Sequence, residues 1–167
     1  MLESLIVLVV LLAAFHFLYD FAYAAVARTL LENGAASAAR ADAVGLNDFQ
    51  QAKSLRVGMI PVSGRRLVPD GGRHVAGAGG ELALVRTYLQ ARDWAEADGI
   101  LDYERWEGLS HTVRRDGGLS RVEATFRAPV GMPWRLGALF GYAPWDGTRA
   151  LRADWAVEDH ASLYLSR

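Results

Sequence analysis

Cysteine is absent from this 167-residue chain, which excludes disulfide frameworks, thiolate zinc sites, iron–sulfur clusters and cysteine nucleophiles without fixing a compartment. Lysine is almost absent too: of 18 basic residues only Lys53 is a lysine, a bias to which the sequence alone attaches no mechanism. No excess of one charge exists either, since 18 basic against 19 acidic residues leave a net charge of −1. No global field therefore recruits nucleic acid. The composition, 51% hydrophobic and 22% charged, is globular rather than disordered and suits one domain of ordinary size. No internal repeat is visible.

Signatures of catalysis are also missing. The histidines, His16, His74, His111 and His160, stand apart from one another, with no pair at zinc spacing. No strand–Gly-x-Ser-x-Gly–helix context marks a serine nucleophile. Gly77-Ala-Gly-Gly fits neither the dinucleotide nor the P-loop spacing. Glu158, Asp159 and His160 form the densest polar cluster, readable as a solvated strand end or as a metal or general-base site. Asp146 and Asp154 could join a calcium site, but no loop pattern demands one. The expectation is a protein without catalytic residues, metal or cofactor.

What the sequence does contain is a long apolar run. Leu5 to Phe15 is unbroken, and Leu5 to Ala27 is interrupted only by His16 and Asp20. As a helix at about 1.5 Å per residue this stretch is roughly 34 Å long, enough to cross a hydrocarbon core of about 30 Å. A signal peptide, a membrane anchor and a helix buried in protein compete for it. Ala22-Tyr23-Ala24 resembles a small-x-small cleavage site. Against a signal peptide, the chain opens Met-Leu-Glu-Ser, and its first basic residue is Arg28, beyond the apolar run. Against a simple anchor, helix-compatible residues continue from Arg28 through Val44, with Gly45 as the natural stop. The first proline is Pro61, so one helix from Glu3 to beyond Ala39, roughly 60 Å long, is expected. Gly34 is where it can bend. Its first half is apolar all round; its second is alanine-rich and amphipathic.

Glu3 is the informative residue of the first half. A carboxylate beside a long apolar stretch is expensive in lipid and marks a functional site. The positive end of the helix dipole favours it there, and an N-terminal amine, its own or that of a neighbouring subunit, is the obvious compensating charge. The bland alternative places Glu3 among lipid headgroups. Further along, Phe15, Tyr19 and Tyr23 share one face, as do Phe17 and Phe21, while His16 and Asp20 are four apart and can pair. Alanines at 13, 14, 22, 24, 25 and 27 let neighbouring helices approach closely. An aromatic belt at a membrane interface is the other reading of these rings.

The run Met1-Leu-Glu-Ser-Leu-Ile-Val-Leu-Val-Val-Leu-Leu-Ala-Ala-Phe resembles the start of a type IV pilin, and more narrowly of the tight-adherence (Tad-type) pseudopilins, the TadE-like family. The resemblance extends to the aromatic stretch Phe15 to Tyr23, the alanine-rich run after Arg28 and, more weakly, the tail from Leu151 to Leu165, together about a third of the chain. It implies a structural subunit, held in the inner membrane and then polymerised by a pilus assembly machinery into an extracellular filament of like copies. The implied contacts are Met1, Glu3, Leu5, Leu8, Leu12, Phe15, His16, Tyr19, Asp20 and Tyr23. Precursors of that family carry a short basic leader removed after a glycine and place the acidic residue fifth in the mature chain. Glu3 departs from that position, which leaves open which residue carries the mature amine. A processed pilin is expected to lack a basic leader. A minor pseudopilin, or a monomeric membrane-anchored periplasmic module of a secretion machine, remains the alternative.

Residues 46–167 are expected to form a small head behind the helix of 1–45. Asn47 or Asp48 caps a short helix to about Arg56, with Phe49, Ala52, Leu55 and the stem of Arg56 on one side. Val57 to Val68, interrupted by Pro61 and Gly64, reads as a loop or edge strand, and Pro69 to Gly80 as a flexible connection. Glu81 to Trp106 suggests one helix or two joined near Asp98-Gly99. Leu119 to Ala128 alternates as a half-buried strand, with Val122, Ala124 and Phe126 inward. Thr148 to Glu158 alternates likewise, with Arg149, Leu151, Ala153, Trp155 and Val157 on its apolar face, and Ala161 to Leu165 reads as a last strand. The loop from Pro129 to Gly147 holds Trp134, Leu136, Leu139, Phe140, Tyr142 and Trp145. Of these, Trp134, Phe140, Tyr142 and Trp145 form either a packing plug or a second contact surface for a neighbour. The fold class is α+β, a helical spine followed by a small head of helices and an antiparallel sheet.

Overall fold

Apolar residues on all sides of the chain's first helix and alanine in its second half give the fold its axis. In a computed structural model, which describes residues 2–69, 77–130 and 147–160, α1 runs from Leu2 to Ala43 as one helix of 42 residues, about 63 Å long. It ends where the sequence says it must. Gly45 adopts a positive φ of 84°, Leu46 N donates to Ala41 O at 3.0 Å and Gly45 N to Asp42 O at 2.8 Å, the paired bonds of a Schellman stop. Asn47 then caps α2 (Asp48–Gly58), its side chain accepting from Gln50 N at 3.0 Å.

Gly34 serves close approach. A Cβ there would lie 2.8 Å from Leu55 Cδ1, and one on Gly58 would lie 3.1 Å from Gly34 Cα. Two glycines thus let α2 cross α1 backbone to backbone.

The other face of α1 meets the main sheet. Strands β3 (Leu109–Asp116), β4 (Leu119–Pro129) and β5 (Thr148–Glu158) form an antiparallel sheet in that spatial order. The β3–β4 hairpin turns on Gly117 and Gly118, both at positive φ, as a two-residue I′ turn requires. Register pairs Leu109 with Phe126 and Phe126 with Leu151, stacking one face with apolar residues. On that face Val122, Ala124, Phe126, Ala128, Leu151 and Ala153 are buried against Ala27, Leu31, Ala35, Ala38 and Ala39 of α1. Leu55, Met59 and Val62 complete the cluster. The second half of α1 is therefore the centre of the head's core, and its alanines set the close approach of sheet and helix.

A second cluster lies beyond α2. There α3 (Gly77–Gln90), α4 (Trp94–Ile100) and the short pair β1 (Arg66–Val68) and β2 (Asp102–Tyr103) bury Tyr88, Ala91, Ala97, Leu101, Tyr103 and Trp106. The architecture is α+β, a long N-terminal helix carrying small helices and antiparallel strands.

Several local expectations need correction. Gly77–Gly80 are the first turn of α3 rather than part of the connection. The break between α3 and α4 falls at residues 91–93, not at Asp98-Gly99, because Asp93 caps α4 by accepting from Glu96 N at 2.8 Å while Glu96 accepts from Arg92 N at 2.7 Å. Residues 101–105 are strand and turn, and Trp106 opens a separate 3-10 turn, Trp106–Gly108, rather than ending an α-helix. Strand β3 has no counterpart among the sequence expectations. On β5 only Leu151 and Ala153 are fully buried; Trp155 shares their face but remains 41% exposed. The aromatic loop and the last strand expected at 161–165 lie outside the described residues.

Candidate assembly helix and its junction with the head

Apart from the half-buried and engaged Asp20, the first half of α1 is exposed along its length. From residue 3 to 22 every side chain is exposed except the half-buried Asp20. Leu5, Leu8 and Leu12 are each more than half exposed, Phe15 is 74% exposed and Tyr19 is 64% exposed. The helix is long and apolar enough to cross a membrane, by length and composition. Its propensity explains why it forms, since Leu and Ala favour helix and nothing in the run breaks it. Propensity does not explain how its apolar surface is covered. Leucine, valine and phenylalanine left in water cost about 1.5–3 kcal/mol each relative to burial, so this surface requires lipid or other protein.

The other candidates fall into place around it. Glu3 sits exposed in the first turn, at the positive end of the dipole. His16 turns its ring back along the helix, with Nδ1 3.0 Å from Leu12 O. Met1 lies outside the described residues, as do Trp134, Phe140, Tyr142 and Trp145.

Tyr23 differs from the rest because the head holds it. Its hydroxyl donates to Val62 O at 3.0 Å and accepts from Arg105 Nη1 at 2.8 Å, and Arg105 Nη1 also donates to Val62 O at 3.1 Å. This clamp marks where the free helix ends and the packed helix begins. Arg28, five residues on, pairs with Glu32 at 3.1 Å on the exposed side. With Arg152 and Trp155 of β5 they border an open groove of 540 Å³. Among the described residues no three His, Asp or Glu side chains gather as a metal site would need. Glu158 and His160 approach only to 4.0 Å.

Two buried charges, to neither of which the sequence assigned a role, hold the head together. Asp42 is 1% exposed at the C-terminal end of α1, where the dipole disfavours a carboxylate. Arg115 grips it from Nη2 at 2.6 Å and Nε at 3.1 Å, Gln51 Nε2 donates at 2.8 Å and Ser120 Oγ donates as well. Burial alone raises its pKa, but the bonds from Arg115 and Ser120, the charge of Arg115 and the bond from Gln51 outweigh burial and hold it below the usual aspartate value. One carboxylate thus ties α1 to α2, β3 and β4.

The single lysine is the other. Lys53 is fully buried, and its ammonium donates to Leu89 O at 2.9 Å and Ala91 O at 2.7 Å. It lies 4.2 Å from the Phe49 ring centroid. It satisfies carbonyls at the end of α3, where a cation is favoured, although burial pushes its pKa down. Next to it, Arg56 stacks on Trp94 and Trp106 and donates to Asp98 Oδ1 at 2.9 Å.

Comparison with protein-family models, with curated proteins and with solved structures finds no match to this chain.

Proposed function

We propose that the chain is a pilin-like structural subunit, similar to the Tad-type pseudopilins, that assembles through the first half of α1 into an extracellular filament. One observation carries this reading. Residues 3–22 expose every side chain but that of Asp20, while Ala27, Leu31, Ala35, Ala38 and Ala39 of the same unbroken helix lie in the head's core. A rigid helix shared between a soluble head and an uncovered apolar rod suits a part that is first dissolved in lipid and then bundled with copies of itself.

Before assembly the rod lies in the bacterial inner membrane with the head outside the bilayer. In the filament the same side chains pack against those of neighbouring rods, with Leu5, Leu8, Leu12 and Phe15 as contacts. Moving an apolar helix from lipid into protein gains little from hydrophobicity, because both surroundings are apolar. Close packing, neutralisation of Glu3 by a neighbour's amine and an assembly motor supply the drive. The role is structural rather than catalytic.

The length of the apolar stretch favours a second reading as well. Its exposed part, residues 3–22, is roughly 30 Å long and matches a single bilayer span, as a monomeric anchored module of a pilus or secretion machine would need. Glu3→Gln separates the two. In a filament subunit it abolishes or sharply reduces polymer yield at equal membrane levels, with an unchanged head. Wild-type polymer yield from the Gln variant removes Glu3 as the register contact. Absence of any polymer from the wild-type chain leaves the anchored module.

A further inference from the structure

The level at which α1 leaves the head can be traced onto the sheet. At the far end, Asp42 of α1 is bonded to Ser120 of β4. Nearer the rod, Arg28 and Glu32 of α1 share a groove with Arg152 and Trp155 of β5, so helix and strands run alongside each other. Tyr23 lies roughly 28 Å from Asp42 along α1. The paired residues Pro129 and Thr148 lie roughly 30 Å from Ser120 along the sheet. This end of β4 and β5 is therefore level with Tyr23, whose clamp brings Val62 and Arg105 to the same level. Residues 3–22 span roughly 30 Å, the thickness of a hydrocarbon core, and headgroups add about 5–8 Å on each side. With the rod in a bilayer, this edge of the head sits in the headgroup layer.

The edge is basic. Arg28, Arg65, Arg127 and Arg149 are exposed there and Arg105 is half-buried, against the exposed Glu104 and Glu107. Gly108 packs closely on Arg127, since a Cβ on it would lie 3.2 Å from Arg127 Cβ. Arg105 is held by Tyr23 and Val62, and Arg28 by Glu32. Among the described residues no ion pair engages the guanidinium groups of Arg65, Arg127 and Arg149. Register sets Arg127 opposite Ala150 and Arg149 opposite Ala128, so these two arginines flank the sheet's end from its two faces.

We infer that this edge of the head is a docking surface for anionic phospholipid headgroups, with Arg127 and Arg149 as its principal contacts. The inference rests on the reading of α1 as membrane-inserted and adds to it the lipid class that the head selects. A guanidinium meets two phosphate oxygens with parallel N–H bonds, while its stem lies along less polar surroundings. The phosphate of phosphatidylcholine carries its own ammonium group, and that of phosphatidylglycerol does not. A net anionic lipid therefore gains more from free arginines, by about five-fold for each one near the surface.

The absence of native cysteine makes the test clean. Full-length protein is inserted into vesicles of phosphatidylcholine and phosphatidylglycerol in equal amounts. It carries a fluorophore at Ala150→Cys, on the basic edge, or at Ala156→Cys, roughly 20 Å further along β5. A trace of either lipid with a nitroxide near the top of one acyl chain then quenches the fluorophore. At Ala150→Cys, nitroxide phosphatidylglycerol should be preferred over nitroxide phosphatidylcholine by about five-fold or more. High salt should shrink the preference, and Ala156→Cys should show none. Arg127→Gln combined with Arg149→Gln should abolish it, whereas lysine at both positions should retain it. Equal quenching by the two lipids at Ala150→Cys, or a preference that survives the double glutamine variant, overturns the inference. Insertion is read separately, from a fluorophore at Leu11→Cys quenched by a nitroxide deep in the acyl chains. An inserted chain without lipid preference overturns this inference and leaves the membrane reading of α1 standing. A chain that does not insert overturns both.

Discussion

Replacing Asp42 with asparagine removes one charge and little else, which makes it the sharpest probe of how α1 is fastened to the head. The Asp42 side chain is 2% exposed and that of Arg115 is 53% exposed. Breaking a buried ion pair from one side costs about 3–5 kcal/mol when the remaining charge stays buried. Arg115 can rehydrate, which reduces that loss. Removing a carboxylate from the C-terminal end of a helix returns about 0.3–1 kcal/mol. Asparagine keeps one acceptor for Ser120 or Gln51, so a net loss of about 2–3 kcal/mol follows. For a chain of this size that is roughly 5–10 °C in melting temperature. The sign of the pH dependence follows from the lowered pKa of Asp42. Its contribution is present above the unfolded value of about 4 and is lost as pH falls through the folded value. Denaturant titrations of full-length protein in detergent micelles, followed by tryptophan fluorescence, should show a wide gap between wild type and Asp42→Asn at pH 7. The gap should narrow below about pH 4. A gap under about 0.5 kcal/mol at pH 7, within the range of an ordinary surface change, or one that persists undiminished to pH 3, would refute the clamp.

Three further outcomes follow from the packing. Lys53→Met leaves Leu89 O and Ala91 O without their donor and should cost about 1–3 kcal/mol, with hydrogen exchange rising first at the end of α3. Gly34→Ala should destabilise by about 1–3 kcal/mol through the contact with Leu55, although alanine is intrinsically the better helix former by about 1 kcal/mol; a more stable variant would contradict the close crossing. A chain beginning at residue 24 should melt cooperatively. One beginning at residue 46 loses Leu31, Ala35, Ala38 and Ala39 from between sheet and α2 and should show no cooperative transition by circular dichroism.

The spine, its stop at Gly45 and the Asn47 cap were legible because each rests on local chemistry: propensity, a left-handed glycine and a side-chain acceptor. Strand β4 was legible because Val122, Ala124 and Phe126 alternate cleanly. Strand β3 was not, since it is an edge strand whose inward row ends in Arg115, placed there for Asp42 rather than for the core. The α3–α4 break was assigned to Gly99, a residue with open space around it, when the capping pair Asp93 and Glu96 was the truer signal. Lys53 carried no local signal at all. Its role depends on carbonyls 36 and 38 residues away, and only the fold brings them together. Among the candidate contacts, the apolar rod was legible as a class. That Tyr23 belongs to the junction was not, because Val62 and Arg105 are distant in sequence.

The central claim is that residues 3–22 leave lipid to become the core of a polymer, and electron cryomicroscopy of material sheared from cells producing the chain tests it most directly. The account predicts filaments whose centre is a bundle of α-helices built from residues 3–22, with heads of residues 27–160 outside. A chain that stays wholly in the membrane fraction as monomers, or filaments whose contacts are made by the heads alone, would contradict it.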